Sequence, residues 1–187
     1  AWFPDGRRIA FTSDRRGNLD IWQVDTGSGA LQAVTSDAAD DYWPAVSPDG
    51  TRIAYASRAQ QNRFDLSLVD LVTLATQRLT AGGGSNESPA FSPDGRRIAY
   101  VTTAPGGRFH MHVRDVRDGA WQGEAVALTS DHGYPNERLY VGASDMHLQP
   151  SWTPDGKELV ILSNRNVPLG SGDIWRTADG GFNWSQM

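Results

Sequence analysis

The sequence is dominated by one short motif that occurs four times. It reads FPDG at residues 3–6, SPDG at 47–50, SPDG at 92–95 and TPDG at 153–156. Each copy precedes an alternating apolar run, namely RRIAFTS, TRIAYAS, RRIAYVT and KELVILS. Because each repeat is one structural unit, this pattern constrains the fold more strongly than any single residue does.

The chemistry of the motif predicts a tight turn between two strands. Ser or Thr suits the first turn position, Pro fixes φ at the second, Asp tolerates the third, and Gly adopts a positive φ at the fourth. This is a type I turn followed by a left-handed residue, a common connection between the strands of a hairpin. We therefore predict a structural role in turns for Pro4, Asp5, Gly6, Pro48, Asp49, Gly50, Pro93, Asp94, Gly95, Pro154, Asp155 and Gly156.

The motif spacing predicts the size and number of the repeated units. Successive motif aspartates are 44, 45 and 61 residues apart. Four short strands fit into each unit, and such units at a period of about 40–45 residues are typical of β-propeller blades. We predict an all-β fold, a single propeller segment of about four four-stranded blades at residues 1–36, 37–81, 82–130 and 147–187, with a last strand at 182–184. The first unit begins inside its first strand, so we expect a fragment of a propeller with six to eight blades.

Composition and charge exclude several functional classes. The net charge is −5, and Lys and Arg do not cluster, which argues against a nucleic-acid partner. No apolar run approaches 18 residues, so we expect no membrane span. The chain has no Cys, which excludes disulfides and thiolate metal sites.

The repeats resemble a known bacterial family. The segments PAFSPDGRRIAYVT, LDIWQVD and TQRLT are similar to the TolB-type, WD40-like propeller repeats of the PD40 family. Propellers of this family occur in the periplasmic TolB protein, in fusions to prolyl-oligopeptidase-like peptidases, and in front of metal-dependent amidohydrolases. The resemblance therefore implies a protein partner and a periplasmic or secreted location, but it does not choose among these functions.

The third motif interval contains the largest irregularity. It exceeds 45 by 16 residues, of which four fall around the stretch RDGAWQGE, expected to be a loop, and twelve fall in an insertion at 130–149. The loop NRNVPLGSG at 164–172 is also long. The first insertion lies in the connection between two blades, and the second lies between the second and third strands of a blade. In a propeller these two connections emerge on the same face, so we expect the two insertions to be neighbours near the mouth of the central channel. Long loops on a rigid scaffold are where binding residues concentrate.

This irregular region carries a narrower resemblance. The stretch RLYVGASDMHLQPSWTPDGKELVILSNRNVPLGSGDIWR is similar to part of the N-terminal propellers of bacterial TolB-like amidohydrolases. It departs from their pattern in having one Tyr rather than several, and Gly-Ser-Gly instead of Gly-Thr-Gly. The resemblance implies a non-catalytic recognition or docking module of a larger hydrolase that guides substrate access or domain contact. Its candidate docking residues are Tyr140, Asp145, His147, Asn164, Arg165, Gly170 and Gly172.

Two other functions fit the same repeats. One is a TolB-like periplasmic protein-interaction scaffold with no enzyme attached, and regular repeats without insertions favour it. The other is the gating propeller of a prolyl-oligopeptidase-like serine peptidase, which a Gly-x-Ser-x-Gly motif elsewhere in the native protein would reveal.

No catalytic machinery is visible in the sequence. There is no Gly-x-Ser-x-Gly elbow and no credible nucleophile–base pair, so we expect no catalytic residue and no cofactor here. His110 and His112 alternate on one strand, and two imidazoles at that spacing can bind a metal. However, His110 occupies the position of Asp20, Asp65 and Asp173 in the other units, so we favour an ordinary strand position and predict no metal site.

Two recurring residue types are expected to serve the fold. The aspartates at the start of each third strand recur, which favours a structural carboxylate that ties the adjacent loop backbone. The tryptophans at strand positions, among them Trp43, are expected to pack between blades rather than to form a ligand cage.

Overall fold

The computed structural model describes residues 1–60, 63–81, 83–103, 109–129, 147–163, 173–178 and 183–187. Every regular element in these ranges is a β-strand. In chain order the strands are β1 (Arg8–Ser13), β2 (Asp20–Asp25), β3 (Leu31–Ala33), β4 (Asp40–Val46), β5 (Arg52–Gln60), β6 (Arg63–Asp70), β7 (Thr76–Arg78), β8 (Asn86–Phe91), β9 (Arg97–Thr102), β10 (His110–Arg117), β11 (Ala120–Ala127), β12 (His147–Trp152), β13 (Leu159–Ser163), β14 (Asp173–Thr177) and β15 (Ser185–Gln186).

The strands form four antiparallel sheets, each built from strands that are consecutive in sequence. Strands β4–β7, β8–β11 and β12–β15 form four-stranded sheets, and β1–β3 form a three-stranded sheet. An isolated bridge between Trp2 and Ile9 adds the start of a fourth strand to the first sheet. We call these sheets blades 1 to 4 in chain order. The architecture confirms the predicted all-β propeller segment.

The hydrophobic core is divided into three layers, one between each pair of neighbouring blades. Because successive side chains on a strand point to opposite faces, a blade buries one set of residues against the preceding blade and the alternate set against the next. Ile53 and Ala54 illustrate this alternation, since they belong to different layers. The three layers include Ala10, Ile21, Ile53 and Val69, then Ala54, Leu66, Ile98 and Tyr100, then Ala99, Met111, Leu159 and Trp175.

The repeated motif forms the predicted turn. Gly50 donates its N–H to the Ser47 carbonyl over 2.8 Å, and Ser47 donates to the Arg52 carbonyl over 2.9 Å. Asp49 accepts the Ser47 hydroxyl at 2.6 Å and the Thr51 N–H at 2.9 Å, and these bonds hold the pKa of the Asp49 carboxyl below its usual range. The motif glycines have φ between 67° and 70°, the left-handed conformation that favours glycine.

Turns of successive blades also pack on one another. A Cβ placed on Gly50 would lie 3.1 Å from Cγ of Pro4. The equivalent distances are 3.6 Å from Gly95 to Cδ of Pro48 and 3.5 Å from Gly156 to Cδ of Pro93. The glycine of each turn therefore lies against the proline of the turn before it.

The stretch RDGAWQGE is a hairpin, so the expectation of a loop there was wrong. Strand β10 continues to Arg117 and β11 begins at Ala120, and these two residues pair. Asp118 and Gly119 between them have φ of 50° and 82°, which two-residue hairpin turns of type I′ require. The extra residues lengthen two strands instead of forming an insertion. The last described strand, β15, begins at Ser185, and residues 183–184, the described part of the predicted strand, are not in a strand.

Candidate functional site

Most of the predicted docking residues lie outside the described part of the chain. Tyr140 and Asp145 fall in 130–146, and Asn164, Arg165, Gly170 and Gly172 fall in 164–172. The backbone of His147 is described as the first residue of β12. The docking role of these residues remains a prediction.

The described residues that flank both segments lie together in blade 4. His147, which follows 130–146, pairs with Ser163, the last residue before 164–172. Ser163 also pairs with Asp173, the first residue after that segment. The three flanking residues thus form one row across the sheet, so both segments join the blade at the same end.

The first strands of blades 2, 3 and 4 carry the same backbone irregularity. Trp43, Ser88 and Gln149 each precede a proline and have φ of 50°, 51° and 52°. At each of them the pairing with the second strand shifts in register, which marks a β-bulge. Non-glycine residues at positive φ are strained, and bulges change the direction in which side chains point. Because the bulge recurs in three blades, the backbone strain is a feature of the blade architecture. The side chain at the bulge differs from blade to blade.

In blade 2 this bulge builds an exposed aromatic cluster, which consists of Tyr42, Trp43 and Phe64. The three ring centroids are 5.2–5.3 Å apart, and Trp43 is 40% exposed. The Arg58 guanidinium lies 5.9 Å from the Tyr42 ring and forms an ion pair with Asp40. Partly exposed Trp and Tyr beside Arg are enriched at the energetic centres of protein interfaces.

Sequence reasoning missed this cluster because it assigned Trp43 to packing between blades. Two consecutive residues of a regular strand point to opposite faces, yet Tyr42 and Trp43 both contact Phe64. The bulge accounts for this shared direction. The available signal was the pair Tyr-Trp before Pro44, where the other two blades have Glu-Ser and Leu-Gln.

Asp20 and Asp65 are tied to a threonine that follows the last strand of their blade, rather than to the loop backbone as expected. In blade 2, Thr80 Oγ1 accepts the Leu66 N–H at 2.8 Å and donates to Asp65 at 3.0 Å. In blade 1, Thr35 Oγ1 accepts the Ile21 N–H and donates to Asp20. In blade 3, Thr129 Oγ1 accepts the Met111 N–H and lies 3.5 Å from His110 Nδ1. In blade 4, Asp173 accepts a hydrogen bond from the Gln186 side-chain amide.

His110 therefore occupies the structural position of the aspartates. Its neighbour His112 lies beside Tyr100, with ring centroids 5.9 Å apart, and burial lowers the pKa of His112. Across the described ranges, no three side chains of His, Cys, Asp or Glu are grouped to hold a metal ion. The same ranges contain no helix long and apolar enough to cross a membrane.

Comparison with known proteins identifies the fold family. The profile of the TolB β-propeller domain, PD40, matches residues 1–130. A TolB-type protein of Agrobacterium tumefaciens is 24% identical, with a TM-score of 0.79 over 98% of this chain. TolB of Acinetobacter baumannii is 20% identical, with a TM-score of 0.74 over 99% of this chain. A puromycin-hydrolyzing peptidase of Mycobacterium tuberculosis is 17% identical, with a TM-score of 0.67 over 96% of this chain.

These proteins are considerably longer than the chain. It spans 62% of the Agrobacterium protein, 41% of the Acinetobacter protein and 30% of the mycobacterial peptidase. At these identities the structural likeness establishes the fold, while the profile match covers well over half of the chain. The chain is a member of the TolB β-propeller (PD40) family.

Proposed function

We propose that this propeller segment is a non-catalytic recognition module of a larger bacterial hydrolase of the amidohydrolase type. In this proposal it docks against the catalytic domain and guides substrate access. One observation carries the proposal: His147, Ser163 and Asp173, which flank the segments 130–146 and 164–172, form one row across blade 4. Long segments that leave a rigid sheet at one end can build a common surface.

The docking surface then consists of residues from both segments. From 130–147 it takes Tyr140, Asp145 and His147, which supply an aromatic ring, a carboxylate and an imidazole. From 164–172 it takes Asn164, Arg165, Gly170 and Gly172, of which Arg165 supplies a positive charge. Aromatic and charged groups of this kind suit a protein partner. Membership of a family that includes the TolB proteins supports a periplasmic or secreted location.

The test uses the full-length native protein that carries this segment. Tyr140, Asp145 and His147 are replaced together by alanine, and the matched control replaces Arg96 and Lys157 on the opposite, turn-bearing rim. We expect the triple variant to lose at least tenfold in kcat/KM on bulky substrates and to gain protease sensitivity at the domain junction, while the control keeps both properties. Unchanged activity and unchanged protease sensitivity in the triple variant would refute the docking proposal.

A second candidate is a TolB-like interaction scaffold without an enzyme. The aromatic cluster of blade 2 favours it, because this cluster carries an exposed indole on a different blade from the row formed by His147, Ser163 and Asp173. The mass of the native polypeptide separates the two candidates. A chain several-fold longer than these 187 residues favours the hydrolase, and a chain the size of one propeller favours the scaffold.

The gating propeller of a serine peptidase is a third candidate. The structural likeness to the mycobacterial peptidase favours it. A Gly-x-Ser-x-Gly motif in the native sequence, with labelling of its serine by a fluorophosphonate probe, would identify this function.

A further inference from the structure

The joint between blades 1 and 2 buries a carboxyl group without a hydrogen-bond partner. Asp41, the second residue of β4, is 0% exposed, and neither carboxyl oxygen makes a hydrogen bond. Its backbone N–H donates to the Leu19 carbonyl of blade 1 over 2.6 Å, so the residue is fixed at the junction. The hydroxyls of Thr35 and Ser57 are near enough to favour the ionised form, but they do not reach hydrogen-bond geometry.

The charges that act on Asp41 are also unfavourable to its ionised form. Asp20 on β2 is 1% exposed, and both Asp20 and Asp37, in the connection before β4, raise the pKa of Asp41 by repulsion. Burial is the larger cause, and together these effects raise the pKa of Asp41 to about 6. Tyr55 on β5 also faces Asp41 and remains neutral, since burial raises its pKa.

The cations nearby serve other carboxylates. Arg58 on β5 pairs with Asp40, which also accepts the Leu19 N–H at 3.1 Å. Arg16 lowers the pKa of Asp20, although burial of Asp20 outweighs this effect and raises that pKa overall. Two buried acids thus face each other between blades 1 and 2, and ionising both at once is costly.

The other two joints of the chain avoid this arrangement. The repeat register and the strand pairing place Asn86 at the position of Asp41 in blade 3 and His147 at the same position in blade 4. The residue opposite is Asp65 at the second joint and His110 at the third. Asn86 is 5% exposed and donates to the Gly84 carbonyl over 3.3 Å. The second joint therefore has a neutral amide where the first joint has its second carboxyl, and at the third joint the sequence has a histidine, not an acid, at both positions.

We propose that Asp41 is a proton-binding switch in the joint between blades 1 and 2. When Asp41 takes a proton from water, its buried carboxyl becomes neutral, its repulsion of Asp20 and Asp37 disappears, and the two blades stay packed together. When it releases the proton, its charge repels Asp20 in a buried setting and loosens blade 1. The switch is local, because the other two joints do not place two carboxyl groups together.

The sign of the effect follows from the direction of the shift. The folded protein holds the proton of Asp41 more tightly than the unfolded chain does, whose Asp has an ordinary pKa of 3.8. The stabilisation is complete below the unfolded pKa and is lost as the pH rises from about 3.8 to about 6. A difference of about two pKa units corresponds to a factor on the order of 100 in the unfolding equilibrium constant.

The test compares the pH dependence of stability in three forms of this chain. Urea unfolding is measured between pH 4 and pH 8 for the unmodified protein, for Asp41→Asn and for Asn86→Asp. Asp41→Asn copies the second joint, so we expect this variant to lack the loss, on the order of 100-fold, that the unmodified protein shows. Asn86→Asp builds the carboxyl pair of the first joint into the second, so we expect this variant to lose more stability than the unmodified protein as the pH rises from about 4 to about 6.

Comparison between forms is needed because other carboxyl groups act in the opposite sense. Asp5, Asp49 and Asp94 have lowered pKa values, so their contributions are lost as the pH falls. Parallel pH profiles for the unmodified protein and Asp41→Asn would overturn the proposal. If Asp41→Asn does not fold, carboxyl ¹³C titration of the unmodified protein decides, and an Asp41 pKa below 4.5 overturns the proposal.

Discussion

Replacing Gly50 by alanine tests the stacking of turns from neighbouring blades. Gly50 has φ of 70°, and the new Cβ would lie 3.1 Å from Cγ and 3.4 Å from Cδ of Pro4. The left-handed conformation costs an alanine about 1–2 kcal/mol, and the lower entropy of the unfolded chain offsets about 0.4–1 kcal/mol of this. The proline ring is rigid, so the close contact adds about 1–3 kcal/mol of overpacking. We expect a total loss of about 2–4 kcal/mol.

The chain supplies its own control for the backbone part of this cost. Gly6 has φ of 67° in the same turn motif, and a Cβ there would meet nothing within 4 Å. Gly6→Ala should therefore cost only about 1 kcal/mol. The difference between the two variants isolates the contact with Pro4.

Urea unfolding followed by tryptophan fluorescence measures both variants on the same chain. Adding Pro4→Ala to Gly50→Ala removes the ring atoms in the way, so the double variant should recover most of the extra loss. Equal losses for Gly50→Ala and Gly6→Ala would refute the view that the turns press on one another. If the double variant keeps the extra loss of stability seen in Gly50→Ala, the proposed contact between the two turns is refuted as well.

Two further substitutions probe the threonine contacts and the aromatic cluster. Thr80→Val leaves the buried Leu66 N–H without an acceptor, so it should lower the free energy of unfolding in urea by about 1–3 kcal/mol. Thr80→Ser keeps the hydroxyl acceptor, so it should lose much less stability. Equal losses for the two variants would contradict the role of the Thr80 hydroxyl as acceptor. Trp43→Ala should cost under about 1.5 kcal/mol because the indole is 40% exposed, yet it should weaken binding of the native partner at least tenfold in calorimetry. Unchanged affinity would exclude the aromatic cluster as a contact surface.

Local chemistry determined which parts of the fold were predictable from sequence. The turn motif specifies its own geometry, since Pro fixes one φ and Gly supplies another, and the four turns follow directly. The hairpin at Asp118 and Gly119 was equally local, because Asp-Gly is a strong hairpin signal. It was misjudged because the extra residues were assigned to an insertion instead of to longer strands.

Features that depend on long-range pairing or on the neighbouring blade could not be predicted from local sequence. The direction of Trp43 depends on a bulge, where non-local pairing overrides the alternation of a regular strand. Asp41 is buried at the joint with blade 1, where its N–H donates to the Leu19 carbonyl. Only the repeat register hinted at this position, because Asn86 and His147 stand there in the later blades. The docking role of Tyr140, Asp145, His147 and the residues at 164–172 remains a prediction from resemblance.

The stacked turns have a consequence for how such chains evolve. Each glycine meets the proline of the unit before it, so the contact has a direction and repeats with every unit. Interfaces that involve only adjacent repeats allow repeat arrays to change length. After an in-frame duplication of one such unit, the glycine of the new copy would lie against the proline of the unit before it. The proline of the new copy would in turn receive the glycine of the unit after it. The number of blades can therefore change through copying alone, without new side chains having to arise at the rim.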